Sequence, residues 1–412
     1  MDEILKAQEL LKKGISPDVL AATQEKPLKV GTQQKGLIFG VPRETTPYER
    51  RVALSPGSVG VLVANGHQII VEHDAGKQAQ FTDSDYSENG ALIAYTPEEI
   101  FSRCDVIVKI APLTPQELEL IQPNRTLISA VHLGALKPDY LKKLVQKNIT
   151  AVGFEFLLSN DGTNPIMSAL SEIAGITSIQ VAAGLLSAHE GGKGMLLGGV
   201  AGIPPAVVTI IGAGAVGFQA AKTALGLGAT VQVIDEEVSQ LRWLEKSLGR
   251  KIFTVVAQQD YILQAVTNAD VLIGAVYRKG SRAPLVVTED MVASMKEGSV
   301  IVDVSIDQGG CVETSRTTTH DNPTFVKHGV IHYCVPNIAS RVPQTASIAI
   351  SNILGPLVLK IGEAGGIKQA MAQNPSIKYG TYVYHRHITQ RSIAQMFGLD
   401  FMDIELLHAV NI

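Results

Sequence analysis

Val207-Val-Thr-Ile-Ile211-Gly212-Ala-Gly214-Ala-Val-Gly217 is the stretch on which the fold turns. Its first five residues read as a buried strand, its glycines as a tight turn, and Val216 to Gly226 as a helix. A second apolar run, Thr230–Ile234, follows and closes on Asp235. Alone, Gly-x-Gly-x-x-Gly is a weak signal. With a strand before, a helix after and an acid ending the next strand, it points to dinucleotide binding. Gly212 permits the turn, Gly214 lets the backbone approach a pyrophosphate, and Gly217 lets helix and strand pack closely. Together with Ala213, Ala215 and Val216 they present amides and a helix end to phosphate. Asp235 would accept hydrogen bonds from ribose hydroxyls and repel a 2′-phosphate, which favours NAD over NADP. The competing reading, a glycine turn that holds no nucleotide, needs all of this context to be coincidence.

Further strands are predicted downstream at Val271–Ala275, Val300–Val304 and Val330–Cys334, ahead of a helix over Thr345–Ile361 and a helical C-terminal tail. Upstream, strands are expected at Gly36–Gly40, Gln68–Glu72, Val106–Ile110, Leu127–Val131 and Ala151–Phe156, with helices at Gly57–Asn65 and Pro138–Gln146. A long helix is expected from Ser168 to Ala188, with Ile173, Ile176, Ile179 and Ala183 near one stripe. Strands alternating with helices imply an α/β fold of two Rossmann-like, doubly wound domains. Residues 1–36, an amphipathic stretch and a polar loop, look like an appendage that packs or mediates oligomer contacts.

Composition narrows the class. The chain has 412 residues, too many for one compact core, and is 45% hydrophobic and 18% charged, which excludes disorder. A net charge of −4 offers no basic face for nucleic acid or an anionic membrane. Cys104, Cys311 and Cys334 include no Cys-x-x-Cys pair and suggest neither a disulfide framework nor a metal site. Uncharged Met195–Ala221 contains Pro204-Pro205 and repeated glycines, so it is a poor membrane helix. A soluble, cytoplasmic protein without a membrane segment is expected.

Ligands in such sheets sit beyond the carboxyl ends of the strands, so polar residues there are the site candidates. Arg51 follows the first strand, and its guanidinium fork could bind a substrate carboxylate; a surface ion pair is the alternative. His132 follows Leu127–Val131 and could donate to a carbonyl or move a proton, or simply be structural. Asp307 leaves a buried strand and enters Gly309-Gly310, where a carboxylate could activate water or merely form a turn.

These segments resemble the alanine dehydrogenase and transhydrogenase N-terminal family over about 37–400. The matching residues are Val41-Pro-Arg-Glu-Thr, Arg51-Val-Ala-Leu-Ser-Pro56, Gly66-His67, Ser171-Glu-Ile-Ala-Gly175, Gly194–Gly202, Gly212–Gly217, Asp303–Cys311 and Tyr333-Cys-Val-Pro-Asn337. The resemblance implies a hexamer that interconverts L-alanine with pyruvate and ammonium using NAD. It implies a substrate domain of residues 37–165 and 344–412, with an NAD domain of 166–343 inserted into it. By position, Arg51 would hold the carboxylate, His132 would face the carbonyl or imine carbon, and Asp307 would exchange protons with water. Asn337 would lie near the nicotinamide and the substrate, and Ser171, Ala275, Asp307 and Asn337 join the cofactor-binding set.

One departure stands out. Counting back from His132 without a gap sets Lys109 on the first lysine of the family's Lys-Val-Lys-Glu-Pro segment and Ala111 on its catalytic second lysine. Residues 109 and 111 share a strand face, so Lys109 would reach the site from about 6.6 Å further back. Arg341 is a candidate replacement cation. Besides an active amino-acid dehydrogenase, two readings stay open: a catalytically impaired NAD-binding relative, or a transhydrogenase-type NAD-binding component.

Overall fold

Short runs of Val, Ile and Leu become strands buried on both faces, as parallel sheets covered by helices require. The computed structural model describes residues 36–134, 136–278 and 281–410, so the proposed appendage lies outside the described residues. The strands are β1 (Ile38–Val41), β2 (Gln68–Glu72), β3 (Leu92–Ala94), β4 (Val106–Val108), β5 (Thr126–Ser129), β6 (Thr150–Gly153), β7 (Val207–Ile211), β8 (Thr230–Asp235), β9 (Phe253–Val256), β10 (Val271–Gly274), β11 (Val300–Asp303), β12 (Thr324–Lys327), β13 (Val330–Tyr333), β14 (Thr381–Tyr384) and β15 (His387–Ile388). They form two sheets, one in the order β15-β14-β6-β5-β4-β1-β2-β3 and the other β12-β13-β11-β10-β7-β8-β9.

Both sheets are parallel apart from one edge. In the first, β14 runs antiparallel to β6 and to β15; in the second, β12 runs antiparallel to β13. Each sheet starts in its middle, winds one way and then crosses back. The strand order therefore reverses between β1 and β4, and between β7 and β10. Crevices at such reversals are where ligands bind in doubly wound folds. The first sheet draws strands from both sides of the second in sequence.

Two long helices connect the sheets' strands. Pro165–Leu185 starts with Asn164 accepting from the Met167 amide and proline in its first turn; Pro343–Glu363 also opens on proline. The two helices contact each other, and the first lies along the Ala215–Gly226 helix that follows the glycine turn. A side chain at Gly175 would collide with the Val216 carbonyl oxygen, so glycine sets that helix spacing. The buried side of Pro165–Leu185 is broader than the predicted stripe. Ala174, Gly175, Ser178 and Ala182 are buried with Ile173 and Ile179, whereas Ile176 faces outward. Small residues permit close contact there, and that displaced the stripe. Both helices are long and apolar enough to cross a membrane by length and composition, but half of each is buried inside this fold.

The helical tail needs correction. Helices at Ile367–Gln373 and Pro375–Gly380 are followed by the β14–β15 hairpin, which extends the first sheet before helices at Arg391–Phe397 and Ile404–Val410. Thr381-Tyr-Val-Tyr384 is β-branched and aromatic, and all four residues are buried.

Candidate active site

The glycine turn closes β7 against β10. Gly212 has φ 108°, and a Cβ there would strike the Ala275 carbonyl oxygen; one at Gly217 would strike the Gly212 carbonyl oxygen. Gly214 differs, since a Cβ there would meet nothing within 4 Å. It is the open side of the turn. The Ala215–Gly226 helix begins at Gly214 without a side-chain cap or an acidic first-turn residue, which leaves its leading amides free for an anion. Asp235 accepts from the Ala213 amide at 2.6 Å and the Glu237 amide at 2.8 Å, so its carboxylate stands at the turn. Ala275 donates its amide to the Ile211 oxygen, and Ser171 is half-buried on the long helix beside this layer. The Ala213 amide is spent on Asp235 and not offered to phosphate as expected, but the open cradle, the uncapped helix-end amides and the nearby carboxylate fit a dinucleotide.

The turn that carries Asp307 is tied to the end of β10 by a hydrogen bond. Val276, beyond β10, donates to Ser305 Oγ at 2.9 Å, and Ser305 sits in the 3₁₀ turn Val304–Gln308 that carries Asp307. Asp303 fixes the far side of this turn by accepting from the Cys311 and Val312 amides. Asp307 Oδ1 accepts the Asn337 amide at 2.8 Å, with Asn337 in the left-handed region at φ 54°. Protein crowded around Asp307 pushes its carboxyl above the ordinary carboxylate range; the Asn337 amide, His132 and Arg51 offset only part of this. Its surface nonetheless opens to solvent.

Arg51 reaches the same place from the first sheet. The Arg50–Ser58 segment hangs from the 338–363 region: the Arg50 amide donates to Ser340 Oγ, Val52 to Ser347 Oγ at 2.9 Å and Ser55 to Ser351 Oγ at 2.8 Å. Arg51 is 4% exposed. Its Nε donates to Glu49 Oε1 at 2.7 Å and its Nη2 to Glu49 Oε2 at 2.6 Å. Asn337 Nδ2 donates to the same Glu49 Oε2 at 3.1 Å. Arg51, Glu49, Asn337 and Asp307 thus form one connected chain across the two sheets.

His132 follows β5 with φ 51° and an exposed side chain. Glu155 holds that conformation by accepting the Val131 and His132 amides, both at 2.9 Å. His132 lies close enough to Asp307 to stabilise its charge.

Lys109 is engaged by carboxylates. Its side chain is wholly buried, and Nζ donates to both Glu117 oxygens at 2.8 and 3.0 Å, with Glu44 Oε2 at 3.5 Å. Burial alone would lower this ammonium, but the two carboxylates outweigh it and raise it. Ala111 is also buried, and Glu44 accepts from the Ile110 amide at 2.5 Å and the Ala111 amide at 3.4 Å. Burial pushes the Glu44 carboxyl from 4.5 to about 7 in spite of Lys109. Glu44 and Glu49 also line a cavity of about 340 Å³ with Tyr48 and Arg50. Arg341 is exposed at the rim, where it and Arg50 face His320.

Four carboxylates, Glu44, Glu49, Glu117 and Glu155, escaped the sequence reading. Glu44 carried a usable signal, since it stands directly after β1 at the strand reversal. On the surface, His73, Asp74 and Asp83 bring metal-ligand atoms together, but Lys77 and the histidine already satisfy the carboxylates.

Comparison with known proteins adds independent findings. The family described as "Alanine dehydrogenase/PNT, N-terminal domain" matches residues 40–174, and "Alanine dehydrogenase/PNT, C-terminal domain" matches residues 178–391. An alanine dehydrogenase of Methanococcus maripaludis is 41% identical over 370 residues, covering 90% of this chain and 99% of its own length. One from Bacillus subtilis is also 41% identical, covering 90% of this chain and 97% of its own. A solved L-alanine dehydrogenase superposes with a TM-score of 0.84 at 39% identity, covering 88% of this chain and 99% of that one. A transhydrogenase from Sinorhizobium meliloti shares the fold, with a TM-score of 0.73 at 24% identity, over 86% of this chain and 99% of that one.

Proposed function

The chain belongs to the alanine dehydrogenase/PNT family, and on that premise we propose that it is an NAD-dependent dehydrogenase that interconverts L-alanine with pyruvate and ammonium. The observation that carries this reading is the Arg51–Glu49–Asn337–Asp307 chain, which joins a buried guanidinium to the Asp307 carboxylate and so supports these roles for the two groups. NAD, when bound, supplies the hydride acceptor for the substrate Cα. Gly212–Gly217 and Asp235 would hold it, with Ser171, Ala275, Asp307 and Asn337 alongside.

In this mechanism Arg51 binds the substrate carboxylate through two parallel hydrogen bonds. His132 faces the carbonyl or imine carbon and donates to its oxygen or nitrogen. Asp307, with its proton affinity raised by its surroundings, takes a proton from the water that attacks the imine and returns it in the reverse direction. Lys109, held by Glu117 and Glu44, acts as a buried counter-ion that keeps the β4 end in place. Arg341 at the rim attracts the anionic substrate toward the cleft.

We place the domain boundaries at residues 37–165 with 344–412 for substrate, and 166–343 for NAD; the two-sheet topology supports this. A homo-oligomer, a hexamer by family likeness, is proposed, supported by Ile176 and Ile348 exposed on the long helices. A cytoplasmic location is proposed, supported by three free cysteines. The second reading, an NAD-binding relative without turnover, is favoured by the sequestration of Lys109 beside Ala111. Purified protein given pyruvate, ammonium and NADH should lose near-ultraviolet absorbance. NADH binding without consumption would reject the dehydrogenase and support the second reading.

A further inference from the structure

We infer that Glu49 is the positioning residue for the substrate carboxylate: it occupies one edge of the Arg51 guanidinium, leaves the other edge as the binding fork, and through Asn337 ties that fork to the sheet carrying Asp307. The inference deepens the proposed reaction and rests on it for the substrate class, a small 2-oxo acid.

A guanidinium carries five N–H groups in one plane. Glu49 takes Nε–H and one Nη2–H, the pair along the side edge. The remaining Nη2–H and one Nη1–H point along the end edge, where an incoming carboxylate can still form two parallel bonds. Glu49 itself is fully committed. Oε1 accepts from Arg51 Nε and from the Arg51 backbone amide at 3.0 Å, and Oε2 accepts from Arg51 Nη2 and Asn337 Nδ2. With four donors on two oxygens, the plane of the carboxylate sets the plane of the fork.

Charge points the same way. The pair is buried, with 4% and 2% of its side-chain surfaces exposed, so an unpaired guanidinium would be costly there. Paired with Glu49 it carries no net charge, and the fork selects its ligand by planar geometry. The Asn337 link gives the pair a second consequence. Asn337 offers its side chain to Glu49 and its backbone amide to Asp307, so displacement of one residue moves both the fork and the carboxylate that exchanges protons. In Glu49→Gln, one acceptor oxygen becomes an NH₂ group facing donors, and the fork is freed from its plane.

The test measures pyruvate affinity by calorimetry on the NAD-loaded full-length protein without ammonium, then steady-state kinetics with ammonium and NADH. Glu49→Gln should raise both the pyruvate Kd and its KM by about tenfold or more, lower kcat by a smaller factor through the Asn337 link to Asp307, and leave NADH affinity unaltered. Asn337→Gly keeps the left-handed backbone and removes only the side-chain donor. It should raise the pyruvate KM by a smaller factor, and combining the two changes should cost less than the product of the single effects. If Glu49→Gln does not fold, Glu49→Asp, which keeps the charge and shortens the reach to Arg51, takes its place with the same rise in pyruvate Kd and KM expected. Wild-type protein that neither binds nor turns over pyruvate defeats the proposed function. A wild type that does both, with variants whose pyruvate KM and Kd match it, overturns the role of Glu49.

Discussion

Glu44 Oε2 and Lys109 Nζ lie 3.5 Å apart at the strand reversal of the first sheet, both buried, with Glu117 Oε2 2.8 Å from the same ammonium. Two carboxylates thus share one lysine. Glu49 and Arg51 face Glu44 from the loop after β1, and Glu72 approaches Lys109 and Glu117 from the end of β2. One consequence is pH-dependent stability. The Glu44 carboxyl rises from 4.5 to about 7 on folding, so between those values the folded state binds the extra proton. The stabilisation is complete below 4.5 and is lost as pH climbs through 7. The full change is on the order of 3 kcal/mol. Urea unfolding at a series of pH values should show this decline, and Glu44→Gln should flatten it. A slope unchanged in Glu44→Gln would assign the effect to another group.

Lys109→Met should be strongly destabilising, by about 3–5 kcal/mol, because it leaves two buried carboxylates without their cation. The loss should be smaller near pH 5, where Glu44 already holds a proton. Thermal melts at two pH values check both the size and the ordering. A loss under about 1 kcal/mol would mean that Lys109 contributes no more than a surface ion pair.

The glycine turn yields a contrast between neighbours. Gly214→Ala places its methyl in open space and should melt like the parent, yet weaken NADH binding about tenfold by crowding the phosphate path. Gly217→Ala forces a methyl onto the Gly212 carbonyl oxygen and should lower the melting temperature as well. Equal behaviour of the two would contradict the assignment of the open side.

Asp307→Asn should reduce turnover by about a hundredfold or more, since the amide cannot take the proton from water. Because the carboxyl is held above its ordinary range, the deamination rate of the parent should rise with pH through that elevated ionisation. The variant's residual rate should lack this limb in a pH profile.

The central strands were legible because parallel strands covered on both faces are nearly unbroken apolar runs: β2 and β7 match their predicted ends, and β8, β10 and β11 fall within a residue. Edge strands were not. Half-exposed β3, β9 and β12 are only three or four residues long, and β9 and β12 mix polar with apolar residues. β14 and β15 lie among helices, where Thr381-Tyr-Val-Tyr384 was too short a run to break the helical reading. Arg51, His132 and Asp307 stood out as candidates because each follows a strand. Their partners were hidden for a physical reason: Glu49 gains its meaning from Asn337, 288 positions away, and Glu155 from two amides 23 and 24 positions back. Local sequence carries no trace of such pairings.

The most direct test of the whole account follows the hydride. L-alanine deuterated at Cα, mixed with NAD and the purified chain, should yield pyruvate, ammonium and NADH carrying the deuterium on its nicotinamide ring. The absence of NADH formation, or NADH without the label, would contradict transfer between the substrate Cα and the cofactor seated at Gly212–Gly217.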